Sequence, residues 1–512
     1  MRKITLLVAL AGVIGLGAYF GLSSLSNKGV KQMLDQALQK LPPGWTVTYS
    51  SADYGVWSNR AVLKGIEIHG TGTVTVDATI DELDVGGLSL DLGSAWSRAT
   101  ADPATRTPDK ALPVADSIAI KGVVARLEGQ EIRLGFARID RMRLYPWALL
   151  HDNVPSFGEA MSLIQHPSTP PKPEDVLPLL RFEAAYVQGV GYDSYMADDL
   201  AARFQVPMPD APPMSVVYTV RKLSATDVDH GANRDFAIDG LAATAGPNLD
   251  LKIEHVGASG LDARKLLTSV LSGAPLDAAG AEAALGKLDS TGIAVKTQTG
   301  APVTIGAITL SNLAIAQGLP VSANFSVTGF KVAKAQVTDP SALDVFNQWG
   351  LDSVTLGFGV DYSWNAEQKS ALLKQADIKI DELGDLTLSA DFSGIEKAET
   401  VMQTGALKHA VLRYTDASLV GRTLKIVAGG GDPVEYAREL ALAIQAQSAI
   451  FGNTEAVAAA AKAIGAFLVD PHHLTIEASP PQPLTLAAFD AVRRSPPSEI
   501  FPKLGLAVTV GP

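Results

Sequence analysis

Two-residue alternation, carried furthest between Ser353 and Trp364, most narrows what this chain can become. There Val354, Leu356, Phe358, Val360, Tyr362 and Trp364 fall on one side, and Thr355, Gly357, Gly359, Asp361 and Ser363 on the other. Successive side chains of a strand point to opposite faces, so this stretch predicts a strand with one apolar face and one wet face. Six apolar residues in a row need cover, either from the chain's own helices or from something it binds. These six are the candidate lipid-facing residues.

The same period recurs along most of the chain. It runs through Val47 and Tyr49, Ala61 and Leu63, Ile66 and Ile68, then Val74, Val76, Ala78 and Ile80. It returns over Ser117 to Ile120, Val123 to Leu127, Glu131 to Ile139, Phe182 to Tyr192, Met214 to Leu223, Phe236 to Ala243 and Leu249 to Val256. Beyond these it runs over Gly292 to Thr297, Val303 to Ala316, Val321 to Ala333, Ala376 to Ile380 and Asp385 to Phe392. Glycine-containing turn pairs separate the runs, which is the pattern of an antiparallel meander.

Helical spacing interrupts it in a few places: Asn27 to Lys40, Pro146 to Gln165, the pair Leu261 to Leu271 and Ala278 to Leu288, and the alanine-rich Pro433 to Ile450 and Thr454 to Leu468. Asp432 before Pro433 fits a helix cap, and Leu484 to Arg494 adds a last helical segment before a closing strand. Ser97 to Lys110 is polar and aperiodic and predicts a loop. His166 to Pro178 carries five prolines, a connector in which helix and central strand are both excluded.

The first residues pose a separate question. From Ile4 to Leu25 there is no charge, and as a helix the run would rise about 33 Å, enough for a hydrocarbon core of about 30 Å. Two readings stand: an uncleaved signal anchor, and a cleaved secretory signal behind the basic pair Arg2 and Lys3. Either leaves the body on the exported side of a membrane.

Composition excludes several functions. The net charge of −12 argues against nucleic acid, and the absence of cysteine removes disulfides, thiolate catalysis and cysteine-zinc sites. None of the eight histidines has a partner at helix-borne metal spacing. Asp227-Val228-Asp229-His230-Gly231 fails as a calcium loop because its glycine comes one position early and Ile238 stands where the bidentate glutamate belongs. No phosphate loop or hydrolase elbow is present. The acidic clusters Asp81-Glu82-Leu83-Asp84 and Asp381-Glu382-Leu383-Gly384-Asp385 read as strand ends and turns. The expectation is therefore no catalytic residue, no metal and no cofactor: not an enzyme.

One short pattern repeats without fixed period: apolar, polar, Gly or Asn, apolar, any residue, apolar. It appears at Leu63-Lys64-Gly65-Ile66, Ile120-Lys121-Gly122-Val123, Val187-Gln188-Gly189-Val190, Leu310-Ser311-Asn312-Leu313 and Val327-Thr328-Gly329-Phe330. Physically it is a bend inside a strand, where Gly or Asn tolerates a backbone that branched neighbours cannot.

The opening, Val47-Thr48-Tyr49 through Tyr54-Gly55-Val56-Trp57-Ser58 to Ala61-Val62-Leu63-Lys64-Gly65-Ile66-Glu67-Ile68 behind an apolar N-terminal run, resembles AsmA-like proteins of the bacterial envelope. The resemblance implies a protein anchored in the inner membrane by a single pass, with its body in the periplasm and a part in envelope biogenesis or lipid homeostasis. Membrane lipid and envelope proteins would be its partners. The competing reading is a membrane-tethered scaffold or adaptor that binds no lipid.

The expected fold class is α+β, mainly antiparallel β: an N-terminal transmembrane helix followed by a curled β-sheet body with packed helices. The expected division is an anchor over 1–25, a helical spacer over 26–44, a first β region over 45–165 and the proline-rich connector over 166–178. A second β region with a helical insertion follows over 179–430, then a helical hairpin and closing strands over 431–512. Whether the apolar face is open or covered by Leu261 to Leu288 and Pro433 to Leu468 is left undecided by the sequence.

Overall fold

The computed structural model describes residues 38, 44–55, 57–71, 75–89, 91–127, 130–155, 159, 173–208, 211–246, 249–273, 283–297, 302–316, 319–396, 400–448 and 454–511. The chain divides into two compact units, Met1–Leu285 and Gly286–Pro512.

In the first unit the strands are β1 (Trp45–Thr48), β2 (Ser51–Gly55), β3 (Arg60–Gly70), β4 (Val76–Gly86), β5 (Leu112–Leu127), β6 (Gln130–Leu144), β7 (Val190–Met208), β8 (Ala211–Val228), β9 (Ala232–Ala245) and β10 (Leu249–Asp262). From β3 to β10 each strand pairs antiparallel with the next, and β1 and β2 both pair with β3. The helices are α1 (Leu92–Ala101), α2 (Pro146–Leu149), α3 (Pro173–Gly189) and α4 (Arg264–Ser272).

Strands this long would ordinarily coil their side-chain rows off the core. Here one line of interruptions crosses every strand from β3 to β10 at the same level: Gly65, Asp81, Gly122, Gly135, Asp199, Arg221, Gly240 and Glu254. On alternate strands the residue at this line is left-handed, with φ of 57° at Gly65, 63° at Gly122, 55° at Asp199 and 65° at Gly240. Two successive residues then point to the polar face, and alternation resumes out of phase by one. Leu63 and Ile66, Leu83 and Ile80, and Ile120 and Val123 thus share one face, in register from strand to strand. A second line crosses at Asp116, Arg141, Asp193, Asp227 and Gly260, again with left-handed Arg141, Asp227 and Gly260. Because every strand slips together, the apolar face stays continuous.

Over β3 to β5 that face is covered. Leu63, Ile66, Ile68, Ala78, Ile80, Leu83 and Val85 are buried, with Trp45 and Val47 of β1, Tyr49 just after it, Tyr54 of β2 and Trp96 of α1 packed against their cluster. A smaller core holds α2, α3 and α4 together through Ala148, Ala184, Ala185 and Leu271.

In the second unit β11 (Ala283–Thr297) and β12 (Val303–Ala316) lead into β13 (Leu319–Ala333), β14 (Ser353–Asn365), β15 (Ser370–Ile380), β16 (Gly384–Ser393), β17 (Ala406–Asp416), β18 (His473–Ala478), β19 (Leu484–Thr485) and β20 (Leu506–Gly511). From β12 to β18 pairing is again antiparallel and sequential; β19 pairs with β17, and β20 with β18. The helices are α5 (Pro340–Trp349), α6 (Val401–Thr404), α7 (Leu419–Val427), α8 (Pro433–Ser448), α9 (Glu455–Val469), α10 (Leu486–Arg493) and α11 (Pro497–Leu504). Asp432 Oδ1 accepts from Val434 N at 2.9 Å, so the proposed cap before Pro433 forms. Helices α8 and α9 form a hairpin with small residues at the contact: a Cβ on Gly465 would lie 3.1 Å from that of Ala441.

Several expectations need correction. An N-terminal transmembrane helix is not supported: among the described residues no helix is long and apolar enough to cross a membrane. The run Ile4 to Leu25 lies outside the described residues, as does the spacer over 26–44 apart from Leu38 and Gly44. The fold is instead mainly antiparallel strands in open sheet, with helices beside them. The connector over 166–178 is helical from Pro173, its earlier part lying outside the described residues, and Phe182 to Gly189 continues that helix where a strand was expected. Packing of Ala184 and Ala185 on α2 and α4 overrides the local period there, and the Val187-Gln188-Gly189 pattern is a helix end. From Ala283 the expected helix Ala278 to Leu288 is strand β11. Leu92 to Ala101 is helix, extending into the expected loop, because Leu92 and Ala99 bury on the sheet.

The left-handed line makes a paired prediction. Gly122→Ala places a Cβ against the Asp81 carboxylate in a left-handed backbone and should cost about 1 to 2 kcal/mol in urea unfolding. Asp199→Gly, relieving the same conformation on another strand, should stay within about 0.5 kcal/mol of the parent. Equal losses at both positions would contradict the account.

Candidate functional site

The apolar face of the second unit is built from register. Phe358 of β14 lies opposite Val327 on one side and Ile378 on the other; Val360 lies between Phe325 and Ala376, and Leu356 between Phe330 and Ile380. Ile378 in turn pairs with Leu386, and Ala376 with Leu388. At the Phe358 and Val360 levels each strand contributes an apolar residue, so two rows run unbroken across β13 to β16, while the Leu356 row meets Gly384 on β16.

The six residues of β14 do not share one environment. Val354, Leu356, Val360 and Tyr362 are half-buried. Phe358 remains 42% exposed and Ile378 beside it 45%, with the Phe325 ring 6.0 Å from that of Phe358. Trp364 is the exception: it is only 4% exposed, its Nε1–H donates to Ile395 O at 3.0 Å, and Ala371, Ile395, Val321, Tyr362 and Phe392 surround it. It closes one end of the strands as core. Of the other tryptophans, Trp57 is fully exposed at the β2–β3 turn and Trp96 is half-buried.

Helix α9 packs on β18 and β20, and Phe467 stacks edge-on to Tyr414 of β17 at 5.9 Å. It therefore covers the far end of this unit's face and leaves the middle strands to solvent. Burial pushes the Tyr362 hydroxyl up, as expected of an apolar surround.

In the first unit a second such face was missed by sequence reading. Its central row is Leu134, Leu200, Val220, Leu241 and Ile253 on β6 to β10, each opposite the next. A neighbouring row is Ile132, Ala202, Tyr218, Ala243 and Leu251. Tyr218 is 43% exposed, and Val206 and Leu249 are also exposed; the central row is half-buried throughout. Farther along β7, burial pushes the Tyr192 hydroxyl up to about 12. The signal was present in the alternation of each strand, but the phase slip at Asp199 and Gly240 hides it from a simple period-two count.

The opposite face carries the charge. Glu82 in mid-strand β4 takes Lys121 at 2.7 Å and Lys64 at 3.7 Å, and His255 meets Asp239 at 2.7 Å, all along the slip line. The cluster over 81–84 is thus strand interior, whereas Asp381 to Leu383 form a turn. At the second line a depression of about 710 Å³ is lined by Asp140, Asp193, Asp227 and Asp235 with Arg138, Arg141 and Arg234 among others. Arg138 binds Asp140 at 2.7 Å and Arg143 binds Asp193 at 2.8 Å, so these carboxylates are answered by guanidinium groups. Among the described residues no cluster of three His, Asp or Glu could hold a metal ion.

A family model described as "Uncharacterized protein" matches residues 377–511, from within β15 to β20. No curated protein and no solved structure matches the chain.

Two predictions follow from this geometry. Trp364→Ala removes a buried ring and its hydrogen bond and should cost about 3 to 5 kcal/mol, whereas Phe358→Asp, half in solvent, should cost no more than about 1 to 2 kcal/mol and leave cooperative unfolding intact. A melted Phe358→Asp protein would mean a filled core.

Acidification tests the polar face. The hydrogen bond from Lys121 holds Glu82, and that from Arg60 holds Asp84, below the usual carboxylate range. Burial pushes Asp140 up, but hydrogen bonds from Ser194 and Arg138 outweigh it and hold it low as well. Groups lowered in the folded state stabilise it above their unfolded pKa of about 4, and that stability is lost as pH falls through the folded values. The urea midpoint should be flat from about pH 7 to 5 and fall below about 4; a rise on acidification would contradict this.

Proposed function

We propose that this chain binds the acyl chains of lipids on the uncovered apolar faces of its sheets, across β6 to β10 and across β13 to β16. The observation that carries the reading is Phe358 beside Ile378: two large apolar side chains in register, both more than two-fifths exposed, within rows that hold no charge. Contiguous exposed apolar surface of this kind is uncommon unless it binds something. Burial of methylene groups supplies about 0.8 kcal/mol each, so ten would give an upper figure of about 8 kcal/mol before ordering costs, without any charged clamp. Binding by burial alone is also consistent with polar groups being confined to the opposite face, and it asks for no catalysis.

With the resemblance of the opening strands to AsmA-like proteins, the reading extends to a part in envelope biogenesis or lipid homeostasis, in a periplasmic setting, with membrane lipid as partner. The competing reading is a scaffold that presents its surfaces to other proteins.

The full chain purified from cells and analysed by mass spectrometry should carry phospholipid or fatty acid at near-stoichiometric level. Phe358→Asp and Tyr218→Asp should each lower the load, and together abolish it, with circular dichroism unchanged. Lipid-free parent protein would favour the scaffold.

A further inference from the structure

One large apolar side chain of the first unit stands clear of the protein altogether. Trp57, in the turn between β2 and β3, is fully exposed, whereas the other five tryptophans are buried or half-buried. Leu442, the next most exposed large apolar residue among those described, is 66% exposed. Single exposed apolar residues are ordinary on loose loops, but this turn is tied. Tyr54 packs against the core of β3 to β5, and its hydroxyl donates to Asn59 Oδ1 at 3.0 Å. Asn59 Nδ2 donates to Leu88 O at 3.0 Å, Gly87 N donates to Asn59 O at 2.8 Å, and Ser58 Oγ donates to Gly55 O at 3.1 Å. Asn59 itself takes the left-handed conformation, with φ of 45°, which asparagine tolerates better than most residues. The ring is therefore held out by a braced turn.

The same bonds give the turn's polar side chains partners before it enters any less polar medium, so little hydration is lost there. Tyr54 to Asn59 carries no charge, and the adjoining Arg60 guanidinium is bound to Asp84, Nε to Oδ1 at 2.7 Å. We infer that this turn is a membrane contact: Trp57 seats its ring at the headgroup level of a zwitterionic phospholipid bilayer. An indole, apolar over its faces and carrying one N–H donor, suits that layer. Fluid lipid admits a protruding ring without a preformed pocket, which a folded protein partner would have to supply. Charge narrows the kind of lipid. The net charge of −12, and the Asp116 carboxylate beside the same Gly87 that bonds Asn59, disfavour an anionic surface. The contact does not rest on acyl binding, because Trp57 belongs to neither open apolar face.

The test uses the full chain, as parent and as Trp57→Phe, with phosphatidylcholine vesicles whose acyl chains are brominated at a shallow or at a deep position. Subtracting the two emission spectra isolates Trp57, so lipid held elsewhere on the protein does not register. On vesicle addition the difference emission should shift to the blue and lose about half its intensity or more to shallow bromines, and less to deep ones. Replacing about a third of the phosphatidylcholine with phosphatidylglycerol should weaken the quenching. Difference emission that keeps the wavelength of an indole in water, unquenched by either lipid, overturns the inference. Quenching that strengthens with the anionic lipid overturns it as well, since charge would then be the attraction. A blue shift that follows protein concentration in the absence of lipid would assign Trp57 to a second copy of the chain and overturn the membrane contact.

Discussion

Everything in this molecule depends on a backbone constraint: on alternate strands of the first unit, one residue adopts the left-handed conformation at the same level. A left-handed residue inside a strand is costly for most side chains, so glycine takes the place on β3, β5 and β9, and Asp199 takes it on β7. The return is geometric. All strands shift phase together, which keeps rows such as Ile66, Ile80, Val123, Leu134 and Leu200 on one side. In the second unit irregularities at Ser311 to Ala314 and at Val327 to Phe330 interrupt the ladder near Asn312 and Gly329.

Continuity of the apolar face then raises the question of its cover. The two units answer alike, each within its own bounds. In the first, Trp45, Tyr49, Tyr54 and Trp96 lie against the cluster of β3 to β5; in the second, α9 closes on β17, β18 and β20. The strands between are stabilised by their neighbours' hydrogen bonds and by cross-strand contacts such as Phe325 with Phe358, not by a second layer. Charge pairing on the wet face adds little to stability at such exposed positions but fixes register and keeps the polar side polar.

The alternation over Ser353 to Trp364 was fully legible, because period two is a local property that tertiary packing rarely overturns. So were the bends at Gly65, Gly122, Asn312 and Gly329, where the residue type itself announces the backbone. The corresponding positions at Arg141, Asp199 and Asp227 were not legible, since an arginine or aspartate gives no local sign of a left-handed conformation; it is imposed there by the neighbouring strands. The stretch from Pro173 to Gly189 misled for a related reason: its prolines and apolar run suggest connector and strand, and only contact with α2 and α4 makes it a helix. Exposure was the least accessible quantity. Phe358 and Trp364 occupy equivalent positions in one alternating strand, yet one faces solvent and the other is core, because Ile395 and Val321 happen to meet the second.

The central claim is that β6 to β10 and β13 to β16 carry uncovered apolar faces. Carbene footprinting of the delipidated full chain, read by mass spectrometry at residue level, tests it most directly. The account predicts heavy labelling at Tyr218, Phe358 and Ile378, lost when fatty acid is added, with Ile66, Ile80 and Trp364 unlabelled throughout. Tyr218 and Phe358 as silent as Ile66 in lipid-free protein would contradict it.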